Sequence, residues 1–287
     1  MYTKSILKSR KKIIFYPTLI PNFLQEVKAL TSRLFIQAIR RPANIISSLI
    51  QPLLWLILFG ALFKDVPLNL FNLGNEYNKF LSSGILIFTC FTGSLNAGLP
   101  LVFDREFGFL NRLLVTPLTS RNAIILATIF FISCITMLQN FVIITCSWES
   151  FTQNFHFHKL ELIILISLLI IIIVSNISLG LAFILPGHIE FLAFTFIINL
   201  PMLFASTALA PLYFMPYWLQ IISKFNILTY AIESMRLIIS TEHNYYNMSI
   251  IDIFNINLNL YNILTLLILI NLFTIITTTH LINNKLE

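Results

Sequence analysis

Six runs of about twenty mostly apolar residues constrain this chain more than any other feature. A helix rising about 1.5 Å per residue needs about 20 residues to cross roughly 30 Å of hydrocarbon. The segments at 44–63, 80–103, 122–146, 162–185, 191–214 and 260–279 reach that length. Only 10% of the 287 residues are charged, against roughly a quarter in soluble domains, so the chain cannot clothe a water-facing globule of its size. Backbone groups in lipid must be satisfied internally, and runs of this length do so as helices. The predicted fold is an all-α polytopic membrane protein with six transmembrane helices.

The domain organisation follows. Residues 1–43 form a basic tail and an amphipathic helix, and 44–287 form a single transmembrane domain. The apolar stretch near the start is too short for a signal-peptide core, and the start reads as a cytoplasmic-type basic tail. Between Pro21 and Pro42, Phe23, Leu24, Val27, Leu30, Leu34, Phe35 and Ala38 recur at three- and four-residue steps, with Glu26, Lys28, Arg33, Gln37 and Arg40 on the other face. That pattern predicts an interfacial helix over 22–41, which serves either as a plain anchor or as a lateral wall for a docked partner. The fourth and fifth spans are parted by Pro186–Glu190, where Pro and Gly break the helix. With six spans, thirteen Lys and Arg lie on the side of the termini and five on the other. The positive-inside bias assigns the richer side to the cytoplasm or its organellar equivalent.

Several functions are excluded or disfavoured by what the sequence lacks. No GxxxxGK[ST] phosphate loop occurs, so the chain does not bind and hydrolyse ATP by that route. No nucleophile–base pair or carboxylate dyad emerges, and Cys90, Cys134 and Cys146 form no metal-type pair. No catalytic residue, metal or bound cofactor is expected. The spans hold no Asp, Glu, Lys or Arg well inside, which disfavours ion-coupled transport. Their polar content is amide: Gln51, Asn96, Gln139, Asn140, Asn176, Asn199 and Asn271. These serve either as helix-to-helix hydrogen bonds or as the lining of a substrate path. Ser94 and Gly98 are spaced for close helix approach.

Against this apolar background, 103–121 (FDREFGFLNRLLVTPLTSR) carries three basic and two acidic residues between the second and third spans. Asp104, Arg105 and Glu106 sit at a membrane exit, Gly108 permits close backbone approach, and Pro117 stops a helix before the third span. Charges that stay solvated until they pair across an interface suit a docking element. The plainer alternative is that they cap the ends of two spans. On the opposite side, 217–240 is amphipathic, with Trp218, Ile221, Ile222, Phe225, Leu228, Ala231, Ile232 and Met235 at helical steps. It predicts one or two short helices that lie on, or dip into, the outer leaflet.

Two blocks carry a family resemblance. The 103–121 segment resembles the type-2 ABC exporter permease pattern D-R-E-x-G-x-L-x-x-L-L-x-T-P-x-S-R, matching at Asp104, Arg105, Glu106, Gly108, Leu110, Leu113, Leu114, Thr116 and Pro117, and at Ser120 and Arg121 with one residue's shift before them. Asn111 stands where many members are acidic. The 214–237 stretch resembles P-x-W-L-x-x-x-x-x-x-N-P-L-T-Y-A-x-E-x-x-R, matching at Pro216, Trp218, Leu219, Asn226, Leu228, Thr229, Tyr230, Ala231, Glu233 and Arg236. Ile227 replaces the usual proline, which leaves the helix start after Asn226 open. The Phe-, Ile- and Asn-rich composition is similar to that of family members encoded in algal plastid genomes.

The resemblance implies a half-transporter whose separate ABC ATPase subunit binds ATP and Mg. It also implies a homodimer or heterodimer with a second permease, contact with lipid, and no nucleic acid. Asp104, Arg105, Glu106, Gly108, Leu110, Arg112, Leu113, Leu114, Thr116, Pro117 and Arg121 would form the coupling interface. Asn226, Thr229, Tyr230, Glu233 and Arg236 would form an outer gate. The location implied is a plastid membrane or a bacterial inner membrane, basic side toward stroma or cytoplasm. The alternatives are a membrane assembly or cofactor-maturation factor, and a nucleotide-independent facilitator.

Overall fold

A computed structural model describes residues 19–62, 77–115, 120, 122–147, 157–240, 251–253 and 256–286. The helices are α1 (Leu19–Arg40), α2 (Pro42–Leu62), α3 (Tyr77–Leu95), α4 (Leu99–Glu106), α5 (Phe109–Val115), α6 (Asn122–Cys146), α7 (Phe157–Ile184), α8 (His188–Phe204), α9 (Tyr217–Phe225), α10 (Ile227–Ser240) and α11 (Leu260–Leu286). A 3₁₀ turn, Asn96–Gly98, joins α3 to α4. One small antiparallel ladder pairs β1 (Ile251–Ile253) with β2 (Ile256–Leu258). The all-α polytopic architecture holds, with that ladder as a minor addition.

Among the described residues, five helical segments are long and apolar enough to cross a membrane: Ile45–Leu62, Phe80–Glu106, Asn122–Cys146, His158–Ile184 and Leu260–Ile282. The predicted fifth span, 191–214, is instead α8, a helix of 17 residues. At 1.5 Å per residue it is about 26 Å long. Pro201 sits in its last turn, and the chain leaves helical geometry at Ala205. Pro211 then precedes a 3₁₀ turn at Leu212–Phe214. The second span runs past its expected end to Glu106, which places the acidic and basic triad on the span itself rather than on the connecting helix. The amphipathic 217–240 stretch is two helices broken at Asn226.

α7 is the central post. Its sequence is apolar all round, as a buried helix requires, and it packs against α11, α3, α6 and α10. α1 lies against α6, and α2 leans on α3 from the outside. Ile46, Ile50, Leu54, Ile57, Leu58 and Leu62 form an exposed stripe on α2. An apolar stripe at helical spacing on a peripheral span suits lipid or a second membrane helix.

Of the two readings of the intramembrane amides, four residues support helix-to-helix bonding. Gln139 donates to the Ser48 hydroxyl at 2.7 Å, and Asn140 to the Cys90 sulfur at 2.9 Å. The Thr278 hydroxyl donates to Asn176 Oδ1 at 3.3 Å, and Asn271 to the Leu169 carbonyl at 3.1 Å. Gln51 and Asn96 are exposed, and Asn96 turns back to its own helix at Thr92.

The buried apolar residues fall into two clusters. The larger draws on α3, α6, α7, α10 and the start of α11. The smaller, at the end of the bundle that carries Glu106 (hereafter the proximal end), joins Leu101, Val102, Leu110, Ile125, Leu179, Ala182, Phe191 and Ile282.

Candidate functional site

The proximal site is built where α4 ends. Asp104, Arg105 and Glu106 are consecutive on a helix, so about 100° separates each from the next, and each reaches a different neighbour. Asp104 receives both guanidinium nitrogens of Arg33 on α1, one at 2.8 Å, in the bidentate fork that Arg makes with a carboxylate. The same guanidinium lies 3.7 Å from the centre of the Phe109 ring, so it also holds α5. Arg105 donates to the carbonyls of Ala182 at 2.9 Å, of Leu185, and of Pro186 at 2.8 Å. The first belongs to the last turn of α7 and the other two follow its end, where a cation also meets the negative pole of the helix. Glu106 accepts the backbone N–H of His188 at 2.6 Å and is bonded by the His188 ring at 2.6 Å. A carboxylate is favoured there, at the first turn of α8.

The triad is therefore an internal clamp. One helix end fixes α1, the end of α7 and the start of α8. The expectation that these charges stay solvated until they meet another protein differs from what the chain does with them: each is already paired within it. The plainer reading, span-end capping, describes Arg105 and Glu106 directly.

What projects from the clamp is the turn and α5. Gly108 adopts φ +71°, and a Cβ there would meet nothing within 4 Å. It is required for left-handed backbone and not for the close approach expected from sequence. Phe107 is 78% exposed and Val115 87% exposed. Asn111 and Arg112 are exposed, Leu113 is half-buried, and Leu110 is buried in the proximal cluster. Leu114 lies within α5. Thr116, Pro117 and Arg121 lie outside the described residues. The Ser120 hydroxyl accepts the Asn122 amide at 3.2 Å at the start of α6.

Sequence reasoning missed Arg33 and His188 as members of this cluster. The sequence pattern puts Arg33 on the polar face of an amphipathic helix, and His188 within the Pro186–Glu190 turn. Their partners lie 71 and 82 residues away, and no local pattern announces such pairs.

At the distal end, the second block forms an elbow. Asn226 accepts the Leu228 amide at 3.0 Å and so caps α10. Its side-chain amide donates to the carbonyls of Met202 at 3.2 Å and Ala205 at 2.9 Å. The helix starts after Asn226 without the usual proline, because the cap sets the start. The Tyr230 hydroxyl donates to the Lys224 carbonyl, closing α9 against α10. Thr229 is buried.

Arg236 pairs with Glu233, donates to the Thr207 carbonyl at 2.8 Å, and lies 3.5 Å from the centre of the Phe80 ring. Side-chain exposure of 11% and 19% makes this a mostly buried pair that ties α10 to α3 and to the 205–210 turn, not the loose surface pair that spacing alone suggests. Tyr77, which begins α3, donates to the Leu209 carbonyl at 3.2 Å. Burial pushes its phenol up to about 12, partly offset by the Arg236 charge.

Among the described residues, no group of three or more His, Cys, Asp or Glu is arranged to hold a metal ion.

Comparison with known proteins gives this geometry its setting. The family model described as ABC-2 type transporter matches residues 25–240, a range that includes both sites. A ycf38 protein of Pyropia yezoensis, described as a candidate transport permease, is 48% identical over 99% of this chain and 96% of its own length. Proteins of the same description from Porphyra purpurea and Cyanophora paradoxa are 47% and 49% identical, over 92% and 87% of this chain and 91% and 86% of their own lengths.

Proposed function

Since this chain belongs to the ABC-2 type transporter family and is a transport permease of that type, we propose that it is the membrane subunit of an ATP-driven exporter. On this reading a separate ATPase binds and hydrolyses ATP with Mg and docks beneath the proximal end. A second permease, identical or closely similar, completes the translocation unit. The membrane is a plastid membrane, with the proximal side toward the stroma.

The observation that carries the reading is the contrast within 103–115. The triad is consumed in fixing α4 to three other helices, while the turn before Gly108 presents Phe107, and the short helix beyond it Asn111, Arg112 and Val115, outward. An exposed ridge of two apolar residues, an amide and one cation, on an anchored base, is suited to receive a push from a docked partner. A displacement of α5 reaches α7, α8 and α1 through side chains that are already in contact. At the distal end, the Asn226 elbow and the buried Arg236–Glu233 pair support a gate that holds its shape until the bundle moves.

Transport in sealed vesicles tests this. Export from vesicles that contain the chain and its partners should require ATP and Mg on the proximal side and stop with a non-hydrolysable nucleotide. Equal transport without nucleotide would favour a facilitator.

A further inference from the structure

The second span is interrupted in its middle. The Leu99 amide reaches back only three residues, to Asn96, and Pro100 contributes no amide. The Gly98 amide donates at 2.9 Å to the hydroxyl of Ser178 on α7, and that hydroxyl donates at 2.6 Å to the Leu95 carbonyl. A single buried side chain from another helix therefore bridges the two halves of the span. A Cβ on Gly98 would stand 2.5 Å from the Ser178 carbonyl and 2.9 Å from the Phe191 ring, so the turn is seated hard against α7 and α8.

The same level divides the whole bundle. In the second span Ala97 belongs to the larger cluster and Leu101 to the proximal one. In α7 the change falls between Val174 and Leu179, and in α6 between Phe131 and Ile125. Polar residues occupy the seam on each helix: Thr128 on α6, Ser175, Asn176 and Ser178 on α7, Thr195 on α8 and Thr278 on α11. Close-packed apolar groups transmit strain, and a layer of hydroxyls and amides between two such bodies is where one can shift against the other. Mid-helix 3₁₀ turns commonly mark such hinges.

We infer that Asn96–Gly98 is a hinge in the second span, and that Ser178 is the positioning residue that sets its angle between the proximal layer and the main bundle. Moving α4 and α5 rotates the proximal layer about this turn, with Ser178 keeping the two halves in register. That α5 is the driven element rests on the proposed function; the hinge itself does not.

Spin labels at Asn111 on α5 and Tyr217 on α9 report across the hinge, and labels at Ile50 and Tyr217 report within the main bundle. The full chain, with Cys134 and Cys146 replaced by Ser, is placed in lipid nanodiscs. Ser178→Ala should broaden the Asn111–Tyr217 distance distribution by several ångströms and leave Ile50–Tyr217 unchanged. Pro100→Ala, which restores an amide donor to the turn, should narrow the first distribution and gives the test if Ser178→Ala does not fold. An unchanged Asn111–Tyr217 distribution in either folded variant, or equal broadening of both pairs, overturns the hinge. Absence of any ATPase partner would count against the functional reading while leaving these distances to decide the hinge.

Discussion

Glu106 and His188 share two hydrogen bonds, one to the backbone amide and one to the ring, each 2.6 Å long. The two partners are not equivalent. Removing the His188 ring leaves the amide satisfied, whereas removing the carboxylate strands the first amide of α8. Glu106→Ala should therefore lower the unfolding temperature more than His188→Ala does. Thermal unfolding in detergent of the two single variants and the double variant gives the cycle. Equal losses would show that the ring bond alone holds the α4–α8 contact.

Arg105 reaches three carbonyls through one planar fork. A lysine offers a point charge and cannot span that arc. Arg105→Lys should recover less than half of the stability lost in Arg105→Ala, measured by the same unfolding assay.

The cap at Asn226 predicts opposite outcomes at adjacent positions. Asn226 is extended, with ψ 122°, which is compatible with a following proline, and Ile227 is the first helical residue. Ile227→Pro should be tolerated within about 1 kcal/mol, the gain in backbone order offsetting lost apolar contact. Leu228→Pro removes the amide that Asn226 caps and should cost about 3 kcal/mol or more. Comparable losses in the two variants would show that Asn226 does not set the helix start.

Arg236→Ala removes the partner of a mostly buried carboxylate, and should cost about 3–5 kcal/mol. Arg236→Ala combined with Glu233→Gln should regain part of that loss, because no charge is then left uncompensated. Failure of the double variant to improve on the single one would mean that the Phe80 and Thr207 contacts, rather than the ion pair, hold α10 in place.

Much of this was legible in the sequence, for physical reasons that also mark where legibility stopped. Hydrocarbon thickness fixes span length, so the helices from Pro42, Asn122 and Leu260 begin where apolar runs begin. The α1 helix followed from its three- and four-residue period. The fifth span is shorter than its apolar run, because hydropathy counts Ala205–Phe214 as apolar and does not weigh Pro201 and Pro211, both inside the run. The triad was recognised as special but not as internally paired. Arg33 and His188 come from distant helices, and tertiary pairing of single charges leaves no periodic trace. The seam between the two apolar clusters was equally hidden: Thr128, Asn176 and Thr278 are unremarkable singly and form a layer only once the helices are aligned.

On the proposed function α5, and not the charged triad, meets an ATPase. The most direct measurement is co-purification from mild detergent with Phe107→Asp plus Arg112→Glu in the exposed ridge, compared with the unaltered chain at equal folding by thermal unfolding. An ATP-hydrolysing chain should accompany the unaltered protein and be lost from the double variant, whose unfolding temperature should be unchanged. Retention of the ATPase by the double variant, or no ATPase with either protein, would contradict that role for α5.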